Sequence, residues 1–189
     1  MKSLTIILII SSMTTATLAQ TTAQIPSHWA QHTVEDTIDM PIERYWDLFF
    51  EVPLEDVASA GNYKDLPQIV KTTPVRGQFR QVGDSRRVHF DSGETVLESI
   101  IAAESHQSFT YELTEVEIEL KRAANRARGH FQYTALPGGR TKVTWTYGFE
   151  QKNFFFKWFI NRYIRSTHRH WMKDTLAELK RRTEAMSQQ

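Results

Sequence analysis

The chain contains no cysteine, which excludes disulfides, thiol nucleophiles, thiolate metal ligands and a lipid-modified cysteine. Glycine-rich phosphate loops are also missing. No serine sits in a Gly-x-Ser-x-Gly elbow, and none of the four asparagines opens an Asn-x-Ser/Thr sequon. The longest apolar run, Leu4 to Ile10, is shorter than the roughly 20 residues that a membrane-spanning helix needs. An excess of one charge is lacking too. Lys and Arg number 23 against 22 Asp and Glu, so a general binder of nucleic acid is excluded. The histidines are scattered singly as His28, His32, His89, His106 and His130. His168 and His170 are two residues apart, about 200° around a helix, and cannot share one metal ion. No metal or other cofactor is expected.

The N-terminus is patterned. Lys2 is followed by the apolar run and then by small and polar residues ending Ala16-Thr17-Leu18-Ala19. This reads as a signal peptide over 1–19 with cleavage after Ala19, which places the mature protein in a periplasm or outside the cell. Without Lys2 the remaining chain has 22 basic and 22 acidic side chains. Residues 20–28, rich in Thr and Gln and containing Pro26, read as a flexible leader. One domain is expected over 29–186, with a short tail at 187–189.

Asn153 to Met186 contains neither Gly nor Pro and predicts one long helix with Asn153 as N-cap. At 1.5 Å per residue it spans about 50 Å, which requires a sheet to lie across. Phe156, Ile160, Tyr163, Ile164, Thr167 and Trp171 share one face, opposite Arg162, Arg165, Arg169 and Lys173. Met172, Leu176, Leu179, Thr183 and Met186 form a second stripe turned by about a quarter of a revolution, so a bend is expected near Ser166.

The rest of the chain alternates. A first strand is expected over His32–Met40, then a helix beginning at Pro41 that presents Ile42, Tyr45, Trp46 and Phe49 to the sheet. A shorter helix follows over Leu54–Ser59, ended by Gly61. Strands are expected at Ile69–Gly77, Ser85–Asp91, Glu94–Ala103, Phe109–Glu115, Gly129–Ala135 and Thr141–Glu150, the pattern of an antiparallel meander. Phe109, Tyr111 and Leu113, then Phe131 and Tyr133, then Val143, Trp145, Tyr147 and Phe149 fall on one parity and form the face that the long helix covers. Glu115–Arg128 fits least well. It either extends a hairpin or forms a mobile flap whose Lys121, Arg122, Arg126 and Arg128 could steer an anionic head group to a cavity mouth.

This order of elements is that of the α+β helix-grip fold. Further features are Ile38-Asp39-Met40-Pro41 with Glu43 and Tyr45-Trp46, and Gly83 with Arg86-Arg87 before the Asp91-Ser92-Gly93 turn. They continue through Glu98, Phe109-Thr110-Tyr111, Gly129, Thr141 to Tyr147, and Leu176 to Lys180 with Glu184. In these residues the chain resembles the SRPBCC superfamily, which includes START-like domains and the polyketide cyclase/dehydrase and lipid-transport group. The resemblance runs from Trp29 to Ala185. The resemblance implies about seven antiparallel strands wrapped around the C-terminal helix, with two short helices after the first strand. It also implies a cavity between sheet and helix for a hydrophobic or amphipathic small molecule.

The expected ligand-binding set is Arg86, Glu98, Phe109, Tyr111, Phe131, Tyr133, Trp145, Tyr147, Tyr163 and Trp171. Arg86 shares the parity of Val88 and Phe90, and Glu98 lies between Val96 and Ile100, so the two can meet as an inward charged pair. Such a pair could fix a ligand's polar end. It could also support acid/base chemistry of the cyclase or dehydratase kind, with Glu98 as base and a tyrosine as proton donor. The functional expectation is an exported protein that binds such a molecule, a lipid among the candidates, with catalysis or a membrane-proximal interaction module as alternatives. Phe154 to Phe159 carries more aromatics than one buried face accommodates, which points to weak contact with a membrane surface.

Overall fold

The computed structural model describes residues 24–58, 63 and 66–188. The signal peptide, the first part of the leader, the end of the second helix at Ser59 to Gly61 and the last residue lie outside the described residues. Seven strands form one antiparallel sheet: β1 (Ala30–Ile38), β2 (Ile69–Arg76), β3 (Ser85–Phe90), β4 (Thr95–Glu104), β5 (Ser108–Thr114), β6 (Ala124–Leu136) and β7 (Arg140–Gln151). Their order across the sheet is β1-β7-β6-β5-β4-β3-β2. From β2 to β7 consecutive strands pair as hairpins, and β1 pairs with β7 at the far edge from β2, so the longest connection carries the two short helices. Register shifts in β2, β4 and β6 add the local bends that let a sheet curl around a helix.

The two short helices are α1 (Ile42–Glu51) and α2 (Leu54–Ala58). Near the start of the chain the boundaries of β1 and α1 differ from the sequence expectation, and most of the later strand ends differ by one residue. β1 starts at Ala30 and stops at Ile38, because residues 39 and 40 turn away from β7 after the Ile38–Thr141 pair. Pro41 is the N-cap of α1 rather than its first helical residue: its ψ of 152° is extended, while its carbonyl already accepts the Tyr45 N–H at 3.0 Å.

The C-terminal element is three pieces: α3 (Phe154–Tyr163), a π turn (Ile164–His168) and α4 (Arg169–Ser187). Asn153 caps it as expected, its side chain accepting the Phe156 N–H at 3.2 Å. The π turn sits where the two apolar stripes part. One inserted residue offsets the helical phase by about 100°, and that is the angle separating the stripes. Ile160 before the turn, Ile164 at its first position, and Met172, Leu176 and Leu179 after it are thereby all buried. At about 1.5–3 kcal/mol for each such side chain before ordering costs, this face contributes much of the core.

The largest difference lies in β6, which begins at Ala124 and not at Gly129. Of the two readings of Glu115–Arg128, its second half extends the hairpin. Arg126 and Arg128 lie in the strand, on the side facing away from α4. There Arg128 pairs with Glu112 at 2.6 Å, and Arg126 pairs with Glu150 at 2.9 Å and Glu112 at 3.5 Å. Both guanidinium groups also lie near the Trp29 ring. These partners explain the difference. Arg126 and Arg128, which look like part of a cationic flap in one dimension, are neutralised by carboxylates on the neighbouring strands, while Lys121 and Arg122 lie in a short 3-10 turn before β6.

Candidate functional site

The cavity forms where α1, α2 and α4 cross the concave face of the sheet. Its volume is about 100 Å³ and it is lined by Phe49, Phe50, Val52, Leu54 and Val57 from the short helices and their junction, by Phe109, Tyr111, Phe131 and Trp145 from the sheet, and by Thr175, Leu176 and Leu179 from α4. Gln78, Phe79, Arg86 and Glu98 complete one end. The sheet aromatics stack across strands: Phe131 lies on Trp145 at 4.8 Å between ring centres and on Phe109 at 5.4 Å. Gly129 makes room for this arrangement. A Cβ there would stand 2.1 Å from the Tyr111 ring, so the ring rests directly on the β6 backbone.

Arg86 and Glu98 are direct partners across β3 and β4. Arg86 Nε donates to Glu98 Oε2 at 2.5 Å, with side-chain exposures of 20% and 6%. The sequence parity therefore led to a pair that does form. Taking such a carboxylate out of water is costly unless a cation and hydrogen bonds compensate it. On its other side, the Arg86 guanidinium stacks 3.9 Å from the Phe79 ring centre.

Phe79 stands on the loop between β2 and β3 and adopts a φ of +58°. This left-handed conformation is unfavourable for a bulky side chain. The loop is held by Asp84, whose Oδ2 accepts the N–H groups of Arg80 at 3.0 Å and Gln81 at 3.3 Å. Those backbone bonds, that to Arg80 foremost, keep its carboxyl below the usual carboxylate pKa range. Beyond Phe79 and Phe50 lies a second, more open hollow of about 250 Å³, lined also by Pro53, Leu54, Thr72, Pro74 and Arg86. Phe50, Val52, Leu54, Gln78, Phe79 and Arg86 border both spaces. They form the wall between the inner cavity and the surface.

Of the expected set, Arg86, Glu98, Phe109, Tyr111, Phe131 and Trp145 line the cavity. Tyr133, Tyr147, Tyr163 and Trp171 do not. Tyr133 packs instead on Tyr45, Trp46 and Phe49, because α1 covers that end of β6. Trp171 donates its indole N–H to the Ala58 carbonyl, fastening α4 to α2. Tyr147 and Tyr163 surround His168. This histidine is buried in the π turn, and its Nδ1 lies 3.0 Å from His32 Nε2. Burial holds His168 well below the usual imidazole pKa, and holds His32 down at about 4, with Arg169 adding to the shift. Both rings are therefore neutral near pH 7, one donating and one accepting.

Sequence reasoning missed Thr175. It is buried, it lines the cavity, and its Oγ1 has no hydrogen-bond partner among the described residues. A buried hydroxyl usually finds a partner, and in a helix the carbonyl four residues back is the customary one. Read on the helical wheel, Thr175 is simply part of a mixed stripe, so no sequence signal marks it. Tyr111, by contrast, accepts the Trp145 indole N–H at 3.2 Å and retains a proton to donate. Desolvation pushes its pKa well above the ordinary phenol value, with the charges of Tyr147 and Glu98 adding to it.

The sequence model of the polyketide cyclase/dehydrase and lipid transport family matches residues 30–184. The chain belongs to that family, within the SRPBCC superfamily. Its fold is the helix-grip fold of solved structures that share little sequence with it. A protein from Nitrosospira multiformis superposes with a TM-score of 0.56 at 19% identity, covering 84% of this chain and 99% of its own. The major latex-like protein 151 of Panax ginseng gives 0.58 at 13% identity, covering 81% and 96%. MLL2253 of Mesorhizobium loti gives 0.54 at 15%, covering 80% and 94%. No curated protein matches the sequence.

Proposed function

We propose that this protein binds a small amphipathic molecule, its apolar part against the Phe109, Phe131 and Trp145 rings and its polar end toward Arg86, Glu98 and Thr175. The observation that carries this reading is the unpartnered Thr175 hydroxyl facing the same cavity as a buried ion pair. An apolar wall with a few converging polar groups is what small-molecule sites have in common. The inner cavity alone, at about 100 Å³, is smaller than the ~300 Å³ at which such sites usually begin. Rotation of Phe79 out of its strained conformation would join it to the outer hollow. Entry between the α1–α2 junction and the β2–β3 loop is therefore part of the proposal, and so is a ligand of modest size rather than a long-chain lipid. Export by the N-terminal segment is also part of the proposal, and with it a ligand met outside the cytoplasm.

The test is native mass spectrometry of the protein purified from its exported compartment, with solvent extraction of whatever accompanies it. A discrete added mass that disappears in Phe131→Ala and is reduced in Thr175→Val identifies the ligand class. A persistently clean mass, together with no shift in melting temperature against a panel of amphipathic carboxylic acids and alcohols, overturns the reading.

Glu98 close to Tyr111 leaves acid/base catalysis as a second reading. Its difficulty is the tyrosine: a phenol held far above its ordinary pKa serves as a hydrogen-bond donor and gives up its proton reluctantly. Glu98→Gln separates the two. Loss of turnover with ligand affinity retained favours catalysis, whereas a fall in affinity alone favours binding.

A further inference from the structure

The first turns of α3 carry an apolar surface that the fold leaves uncovered. Phe154, Phe155, Trp158 and Phe159 are 82%, 78%, 64% and 57% exposed. At 100° per residue the four side chains occupy an arc of about 140° on one side of the helix, while Phe156 and Ile160 turn inward. Four large aromatics adjoining at the surface are far more than the scattered apolar residues of an ordinary exterior.

The charge around them is one-sided. From Gln151 to Lys173 the sequence has six Lys and Arg residues and no Asp or Glu, in a chain whose total charge is near zero. Arg162 and Arg165 continue the aromatic side of the helix by one and two turns, and with Trp158 and Ser166 they border a shallow surface groove. Lys152, Arg169 and Lys173 are exposed as well. Lys157 reaches back to donate to the His28 carbonyl at 3.1 Å, so the chain preceding β1 joins the domain at this same corner.

We infer that the α3 surface docks on an anionic bilayer, the four aromatics entering the interface and Arg162 and Arg165 meeting lipid phosphates. Large aromatics beside cations are the composition of interfacial anchors. Charge complementarity decides against two other occupants. A second copy related by two-fold symmetry would bring two such cationic surfaces together, and a neutral apolar partner would leave the arginines uncompensated. The cavity lining contains no residue of α3, so this surface is independent of the ligand site and stands or falls separately.

Fluorescence quenching by vesicles tests it on the full chain, because Trp158 is the exposed tryptophan while Trp29 and Trp145 are buried. Vesicles of phosphatidylcholine and phosphatidylglycerol, with lipids brominated near the head-group end of the acyl chains, should quench the emission. Trp158→Phe should abolish most of that quenching, and Trp46→Phe should leave it in place. Binding should weaken about fivefold for each of Arg162→Gln and Arg165→Gln, the equivalent of roughly 1 kcal/mol per cation near an anionic surface. Raising salt should weaken it further. Absence of Trp158-dependent quenching, or equal binding to purely zwitterionic vesicles, overturns the inference. A dimer in solution that Phe155→Ser dissociates would assign the surface to a second copy and overturn it equally.

Discussion

The two ends of the concave face are built from the same residue types and behave differently. Toward β3 and β4, aromatics surround a void, an ion pair and a hydroxyl without a partner. Toward β1, Tyr147, Phe149, Tyr163 and Trp171 close around a neutral histidine pair. The difference lies in what faces the sheet. The π turn presses His168 into the β1 end and fills it, whereas α2 and the strained β2–β3 loop only bridge the β3 end. An aromatic face is thus a core or a cavity wall depending on how closely the opposing helix approaches.

Truncation sharpens this contrast most. Phe149→Ala at the filled end should cost about 4 kcal/mol in urea denaturation, the range for a buried phenylalanine. Phe109→Ala beside the existing void should cost at least 1 kcal/mol less, since part of the contact is already missing. Equal losses would mean that the two ends pack alike.

The ion pair comes next. Arg86→Ala leaves Glu98 buried without its cation and should destabilise by about 3 kcal/mol. The double replacement Arg86→Met with Glu98→Leu should recover most of that stability while abolishing ligand capture. If the double variant still binds, the pair is structural only.

Acidification should strike the histidine end. The folded-state pKa of His32 is held at about 4, and that of His168 is also depressed, while an unfolded histidine titrates near 6.5. The unfolded chain therefore binds protons first as pH falls. Stability should be complete above about pH 6.5 and should decline toward pH 4, by about 2 kcal/mol once partial solvent access to His32 is allowed for. His168→Phe should flatten the decline in thermal melts across that range, and an unchanged slope would remove the histidine pair as its source.

The smallest expected effect has two signs. Thr175→Val removes a buried unsatisfied hydroxyl and should raise stability by about 1 kcal/mol, while weakening ligand binding about fivefold through one lost hydrogen bond. Titration calorimetry beside a melting curve reads both. A loss of stability would show that Thr175 has a protein partner.

Periodicity alone determined much of this protein. The strand parities, the Asn153 cap, the two stripes of the C-terminal helix and the Arg86–Glu98 encounter all follow from local rules, because the side-chain period of a strand or helix is fixed by backbone geometry. Tertiary structure decided the rest. Arg126 and Arg128 read as a free basic patch until β5 and β7 bring Glu112 and Glu150 beside them. Tyr133 and Tyr147 have the parity of Phe131 and Trp145, and only the placement of α1 and the π turn removes them from the cavity. His32 and His168 stand 136 residues apart, and neither signals the other along the chain. Long-range proximity depends on how closely packed layers approach, a property that no local spacing encodes.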